Sequence, residues 1–361
     1  MTETVVVGKT EKPLSPQIEE EASKQIFSFQ AEKYSKGDYT SVRPIGKGSY
    51  GTVYSVRDEK KNTTLVVKKI PKKESSLKEI LNEVGILKLL KINDKCDERV
   101  LCFDSYKADD DNYYIITEYL DRYISLEQYH EKILNLQSYN SICEIIIIKL
   151  MENLRFIHLN KIAHRDFKPA NIMVYDTLNP DEIKVKIIDF GTSCFDIECN
   201  QLTIEGGTVN YIAPEIYLGV PKIYNLTDLQ MTDLWSLGII IAQIISIDKS
   251  PFTEFIKLFD IYANERLKHS FSPTEREEAT NLKTLEKIGA LRYPLELENK
   301  ETSIILFKEF YRWLTVVYTS EKSHDTYFGY ITKIPNYGKA SSKIIEFLRN
   351  VLIPVPIDRK Y

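Results

Sequence analysis

Asp166, Lys168 and Asn171 fall within the stretch His164-Arg165-Asp166-Phe167-Lys168-Pro169-Ala170-Asn171, and Asp189-Phe190-Gly191 begins eighteen residues after Asn171. Two carboxylates, a carboxamide and an ammonium in so short a space suit the transfer of a phosphoryl group. One carboxylate can orient a hydroxyl; the other, with the asparagine, can hold Mg2+ on a nucleotide. Arg165, beside Asp166, could bind a phosphate carried elsewhere on the chain.

These groups need elements to hold them. A helix is expected over 140–159, apolar at Ile142, Ile145, Ile146, Leu150, Leu154 and Ile157, and it runs into His164. A polar, turn-rich hairpin over 175–184 and a strand over 185–188 lead into Asp189. Upstream, Ile45-Gly46-Lys47-Gly48-Ser49-Tyr50-Gly51-Thr52-Val53 carries G-x-G-x-x-G. The run after it, Thr52 to Arg57, is β-branched and aromatic with no helix signal, so a hairpin fits better than the strand-to-helix turn of dinucleotide-binding folds. Glycine lacks a Cβ, so such a turn can approach phosphates closely.

Thr64 to Ile70 reads as a buried strand with Lys68 in its middle. Ser76-Leu77-Lys78-Glu79 is a capping box opening a helix with Leu77, Leu81, Val84 and Leu87 or Leu90 at helical spacing. Glu83 lies in that helix, and Glu79 sits at the capping position. Asp109 to Asn112 separates two apolar runs and lacks the glycine and distal glutamate of a calcium loop, so a hairpin turn is expected there. Leu234 to Ile247 is too short and too interrupted for a membrane span and reads as a buried helix.

The 361 residues suffice for one or two domains, and the hydrophobic fraction of 43% allows a sizeable core. A net charge of −4 gives no reason to expect a nucleic-acid surface or a polybasic membrane anchor. Five cysteines without a C-x-x-C pair read as reduced thiols of an intracellular protein. The start of the chain shows neither a signal-peptide pattern nor a glycine at position 2 for myristoylation. A helix is plausible from Gln17 to Tyr34, lying on the fold or as part of a tail. Val5 to Thr10 is no P-loop, since position 3 is Glu where that motif needs Gly.

In this order the motifs resemble the eukaryotic-type protein kinase family, of the Ser/Thr-specific kind. The resemblance is dense over 39–252 and resumes at Arg359. It implies an α+β, bilobal fold: a five-stranded antiparallel sheet with one helix, a hinge at Glu118 to Asp121, and a mainly helical second lobe. Residues 1–37 would be an N-terminal extension and 38–361 the kinase domain, divided into 38–120 and 121–361 with an expanded region at about 253–340.

The resemblance implies ATP lying under the hairpin of Ile45, Gly46, Lys47, Gly48, Ser49, Tyr50, Gly51, Thr52 and Val53. Lys68 would contact its α- and β-phosphates and pair with Glu83. Val66, Thr117, Glu118, Leu120 and Met173 would complete the nucleotide contacts, with Ser125 a guess for the ribose. Asp166 would be the base, Lys168 would steady the γ-phosphate, and Asn171 and Asp189 would bind Mg2+, or Mn2+ in its place. Thr208 resembles the threonine that bonds the catalytic Asp and Lys. Thr203 and Ser193 are candidate phosphosites. Asp233 resembles the residue that holds the catalytic loop's backbone, and Arg359 the arginine that pairs with Glu215 of the A-P-E element.

The activity implied is transfer of the ATP γ-phosphate to Ser or Thr hydroxyls of protein substrates in intracellular signalling, cytoplasmic or nuclear. A pseudokinase-type scaffold is the alternative from another class, although Lys68, Glu83, Asp166, Asn171 and Asp189 are all present; a dual-specificity kinase stays open. A small-molecule kinase of related fold would lack the A-P-E element. Residues 253–340 match no family motif and are a candidate partner surface.

Overall fold

A computed structural model of the chain describes residues 30–48, 51–91, 95–196, 199, 208, 211–218, 224–246, 340–353 and 358–361. Residues 17–29 of the helix expected over 17–34, with Ser49, Tyr50, Thr203 and residues 253–339, lie outside the described residues. Contacts divide the chain into two units. One gathers the described residues up to Lys95 with Cys102–Tyr119; the other takes Cys96–Leu101 and those from Leu120 onward.

The first unit is built on a sheet of β1 (Glu32–Lys33), β2 (Tyr39–Gly48), β3 (Gly51–Asp58), β4 (Thr63–Pro71), β5 (Phe103–Ala108) and β6 (Asn112–Glu118). Their order is β1-β5-β6-β4-β3-β2, and every pairing but β1–β5 is antiparallel. Period-two alternation buries Leu65 and Val67 of β4 with Tyr39, Val56, Tyr114 and Ile116 on one face. The hairpin between β5 and β6 closes as its sequence suggests, with Asp109 Oδ1 accepting the N–H groups of Asp111 and Asn112. Helix α1 (Leu77–Leu89) starts from the capping box: Glu79 N–H donates to Ser76 Oγ and Ser76 N–H to Glu79 Oε2.

The five expected antiparallel strands are therefore present, and a sixth is added. The segment expected to continue a helix to Tyr34 instead runs extended at Glu32–Lys33, parallel to Lys107–Ala108. An edge strand offers unpaired backbone groups, and the Tyr34 N–H takes the Ala108 carbonyl at 2.8 Å. The Tyr34 ring stacks on Tyr114, centroids 3.7 Å apart. Aromatic stacking and edge pairing outweigh the weak helical periodicity there.

The second unit carries β7 (Tyr123–Ser125), α2 (Leu126–Ile133), α3 (Tyr139–Leu159), β8 (Ile162–Ala163), β9 (Ile172–Tyr175), β10 (Val185–Ile187), β11 (Cys194–Phe195), α4 (Pro214–Leu218), α5 (Leu226–Ser246) and α6 (Ser342–Val351). α3 buries Ile142, Ile146, Leu150, Leu154 and Ile157, one stripe at helical spacing. α5 is apolar nearly all round, and Leu234, Trp235, Leu237, Ile239, Ile240 and Ile241 are fully buried. A Cβ at Gly238 would come within 2.7 Å of a Leu352 methyl and 2.8 Å of Val351, so this glycine lets the end of α6 lie against α5.

The cysteines depart from the expectation of reduced thiols. Cys194 and Cys199 form a disulfide with their α-carbons 5.4 Å apart, a spacing such a bridge spans. Both lie in a buried cluster with Ala163, Tyr224 and Leu229, which brings together two sulfurs that sequence alone left unpaired. Among the described residues Cys143 is the free thiol. Peptide mapping without reduction should recover Cys194 and Cys199 in one linked species. Burial pushes the Cys143 thiol up to about 12, so iodoacetamide at neutral pH should leave it unmodified until the protein unfolds.

Candidate active site

In the first unit, cross-strand register decides which side chains share a face. Val53 stands opposite Lys68, and Lys68 opposite Ile115; Ser55 stands opposite Val66, and Val66 opposite Thr117. Direct partners in an antiparallel pair point the same way. Val53, Val66, Lys68 and Thr117, chosen from sequence as nucleotide contacts, therefore line one face, opposite the Leu65–Val67 core. Lys68 Nζ reaches Glu83 of α1 at 2.8 and 3.0 Å, with side-chain exposures of 16% and 8%. Glu79 is spent on the cap, which settles the choice between the two glutamates. The Glu118 N–H donates to the Cys102 carbonyl at 2.9 Å and its carboxylate accepts the Cys102 N–H at 2.7 Å.

The Gly-rich hairpin pairs Gly48 with Gly51, Lys47 with Thr52 and Gly46 with Val53, as a hairpin and not a helix start. Its glycines are not equivalent. A Cβ on Gly51 would lie 2.2 Å from the Lys69 carbonyl oxygen, whereas one on Gly46 meets nothing within 4 Å. Gly51→Ala should thus destabilise the hairpin by about 1–3 kcal/mol. Gly46→Ala should leave the melting temperature unchanged; if this glycine admits a phosphate closely, it should raise KM for ATP several-fold. Thermal melts beside ATP titrations separate the two.

In the second unit, the loop after β8 builds a compact cluster. Asp166 Oδ1 accepts the Thr208 hydroxyl at 2.9 Å, and its Oδ2 lies 2.7 Å from Lys168 Nζ and 3.2 Å from Asn171 Nδ2. Lys168 Nζ also donates to Thr208 Oγ1 at 2.9 Å. Three donors converge on one carboxylate whose side chain is 13% exposed. Such bonding fixes the carboxylate's direction. Asn171 spends its Nδ2 on the Asp166 carbonyl and carboxylate, at 2.9 and 3.2 Å, leaving Oδ1 as the end suited to a cation.

His164 ties this cluster to the Asp189 segment. Its ring is fully buried, between Phe167 at 5.6 Å and Phe190 at 5.2 Å. Its Nε2 donates to the Ile188 carbonyl at 3.1 Å, and the Ile188 N–H donates to the Asn171 carbonyl at 3.0 Å. Phe190 is buried while Asp189 before it is exposed. Both Arg165 (φ 67°) and Asp189 (φ 62°) are left-handed, a strain that persists only where surrounding bonds enforce it. Asp233 enforces the first: its Oδ2 accepts the His164 N–H at 2.7 Å and its Oδ1 the Arg165 N–H at 2.8 Å.

Magnesium is bound through one or two carboxylates and substrate phosphates more often than by an all-protein cage. Among the described residues no group of three or more His, Cys, Asp or Glu side chains could hold a metal. One carboxylate at Asp189 and one amide oxygen at Asn171, on segments bonded to each other, fit the first kind of site.

The other expected residues have definite partners. Ser125 is the N-cap of α2, where its hydroxyl accepts the Gln128 N–H at 3.3 Å in a capping box. Ser193 is no accessible phosphosite, being 2% exposed with its hydroxyl on the His164 carbonyl at 3.1 Å. Arg165 donates to the Thr192 carbonyl at 3.0 Å. Met173 stands in β9 between Lys186 and Ser125, and Leu120 accepts the Tyr123 N–H at 3.2 Å. Glu215 forms the expected bidentate pair with Arg359, at 2.5 and 2.7 Å. His158 was not singled out from sequence, because a lone histidine in an apolar helix gives no signal; it lies 3.0 Å from Asp233.

Comparison with known proteins accords with this geometry. The family model described as Protein kinase domain matches residues 39–360. Calcium-dependent protein kinase 4 of Plasmodium falciparum is 30% identical over 213 residues, 58% of this chain and 37% of that protein. A probable serine/threonine-protein kinase of Dictyostelium discoideum is 30% identical over 268 residues, 67% of this chain and 53% of that protein. Mitogen-activated protein kinase HOG1 of Gibberella zeae is 31% identical over 225 residues, 61% and 56% respectively. The chain thus spans between 37% and 56% of the length of these curated relatives. With the family model matching most of its length, the chain belongs to the protein kinase domain family.

Proposed function

We propose that the chain transfers the γ-phosphate of ATP to serine and threonine hydroxyls of protein substrates. The observation that carries this reading is the cluster at Asp166, in which Lys168, Thr208 and Asn171 aim one carboxylate. The Asp166 carboxylate would accept a hydrogen bond from the substrate hydroxyl and align its oxygen on the γ-phosphorus. As the new P–O bond forms and the bond to the ADP leaving group breaks, the hydroxyl proton passes to Asp166. Lys168 would offset charge on the transferred group.

In the first unit, the Ile45–Val53 hairpin and Lys68, oriented by Glu83, would take the nucleotide's phosphates. Asn171 and Asp189 would hold Mg2+, which neutralises phosphate charge when bound. Thr203 remains a candidate activating phosphosite, residues 1–37 an extension, 38–361 the kinase domain, and 253–340 a candidate partner surface. The relatives named as serine/threonine-protein and mitogen-activated protein kinases favour protein substrates. No helix among the described residues is long and apolar enough to cross a membrane.

Phosphoamino-acid analysis of a mixed protein acceptor labelled by the chain tests the specificity. Phosphoserine and phosphothreonine are expected. Phosphotyrosine beside them would make it dual-specific, and binding of ATP without transfer would make it a scaffold.

A further inference from the structure

Asp233 is gripped from a side that the transfer chemistry leaves unused. The Tyr361 hydroxyl is hydrogen-bonded to His158 Nδ1, and the two rings meet edge to face with centroids 5.5 Å apart. On the far edge of the imidazole, Nε2 lies 3.0 Å from Asp233 Oδ2. His158 is 8% exposed and Asp233 1%, so neither hydrogen bond is readily replaced by water. Tyr361 is 44% exposed as a residue, but its hydroxyl is the end packed against His158. Burial, with the Asp233 carboxylate adding to it, holds that phenol above its ordinary range, so it keeps its proton.

The Tyr361 phenol is the donor of this bond where Nδ1 carries no proton, and an imidazole that accepts at Nδ1 carries its proton on Nε2. That proton then sits on Nε2, facing Asp233. Reversing the tautomer would turn a lone pair toward a buried carboxylate. Asp233 meanwhile holds the N–H groups of His164 and of the left-handed Arg165, the residue before Asp166.

We infer that Tyr361 is a positioning residue for the 164–171 loop: its hydroxyl fixes His158 as the Nε2–H tautomer, His158 orients Asp233, and Asp233 sets the backbone that carries Asp166. The functional half of this inference rests on the reading of that loop as the transfer site; the structural half does not.

The test is Tyr361→Phe, which keeps the ring and removes the hydroxyl. Multiple-bond ¹H–¹⁵N spectra of histidine-labelled protein report the tautomer of His158. The wild type should show Nε2–H alone, and the variant a mixture of the two neutral forms. The variant's kcat for phosphoryl transfer should fall about 3–10-fold, the scale of one lost hydrogen bond. KM for ATP should stay within about two-fold, since the nucleotide's own contacts are untouched. An unchanged tautomer in the variant would overturn the link between Tyr361 and His158. A changed tautomer with unchanged kcat, or a lowered melting temperature alone, would reduce Tyr361 to a packing role. If the wild type transfers no phosphate, the functional reading has failed, and the spectra still decide the relay.

Discussion

Replacing Asp166 with asparagine is expected to lower kcat for phosphoryl transfer by roughly 10²–10⁴-fold, the range for losing a positioned proton acceptor. Asparagine has nearly the same shape, so packing should hold and the loss should be chemical. The carboxylate now accepts from Thr208, Lys168 and Asn171 together. A carboxamide can offer one oxygen to those donors, and its NH2 would face either the Lys168 ammonium, a donor only, or the Thr208 hydroxyl, which already donates to Asp166 and accepts from Lys168. The side chain would have to turn, and the substrate hydroxyl would lose its acceptor. KM for ATP should change by no more than about three-fold, because Lys68 and Glu83 are untouched. Steady-state kinetics with varied ATP checks both numbers; turnover within a few-fold of wild type would remove Asp166 from its role.

Arg359→Ala is expected to cost about 3–5 kcal/mol of stability, as for other buried pairs that lose one partner. Arg359 has a fully buried side chain and Glu215 one that is 4% exposed. Beyond its two bonds to Glu215, the guanidinium donates to the Ile353 carbonyl at 2.7 Å and the Met231 carbonyl at 2.9 Å, and lies 5.2 Å from the Trp235 ring. Removing it leaves a buried carboxylate and two carbonyls without that partner. Against a typical total of about 5–15 kcal/mol, the variant should unfold at far lower urea or lose a cooperative transition. The double variant Glu215→Leu with Arg359→Met removes both charges at similar volume and should recover much of the loss. Equal instability of the single and double variants would show that shape at this site, and not charge pairing, dominates.

What could be read from the sequence was local. The 164–171 loop carries three of its functional side chains within six residues, so no folding knowledge is needed to bring them together. Lys68 and Glu83 needed only a strand, a turn and a capped helix, each with a short-range signal, and the cap itself disposed of Glu79. The Glu215–Arg359 pair spans 144 residues and came from resemblance, since no local pattern points to it.

Contacts between distant residues without a motif stayed hidden. Two residues at Glu32–Lys33 carry no strand signal of their own; the edge of β5 supplies it. Cys194 and Cys199 are close in sequence, but only their shared burial with Ala163 and Tyr224 makes bridging evident. Tyr361 and His158 lie 203 positions apart, and neither residue type signals a relay by itself. The capping role of Ser125 was not read from the sequence, although a serine opening a helix commonly serves its first turn.

The most direct measurement of the central claim is transfer of labelled γ-phosphate from ATP with Mg2+ to a mixed protein acceptor, wild type beside Asp189→Asn, with ATP binding measured in both. The expected result is phosphoserine and phosphothreonine from the wild type, lost in the variant while ATP still binds. Undiminished transfer by Asp189→Asn would contradict the assignment of the metal site, and a wild type that binds ATP and transfers nothing would contradict the activity itself.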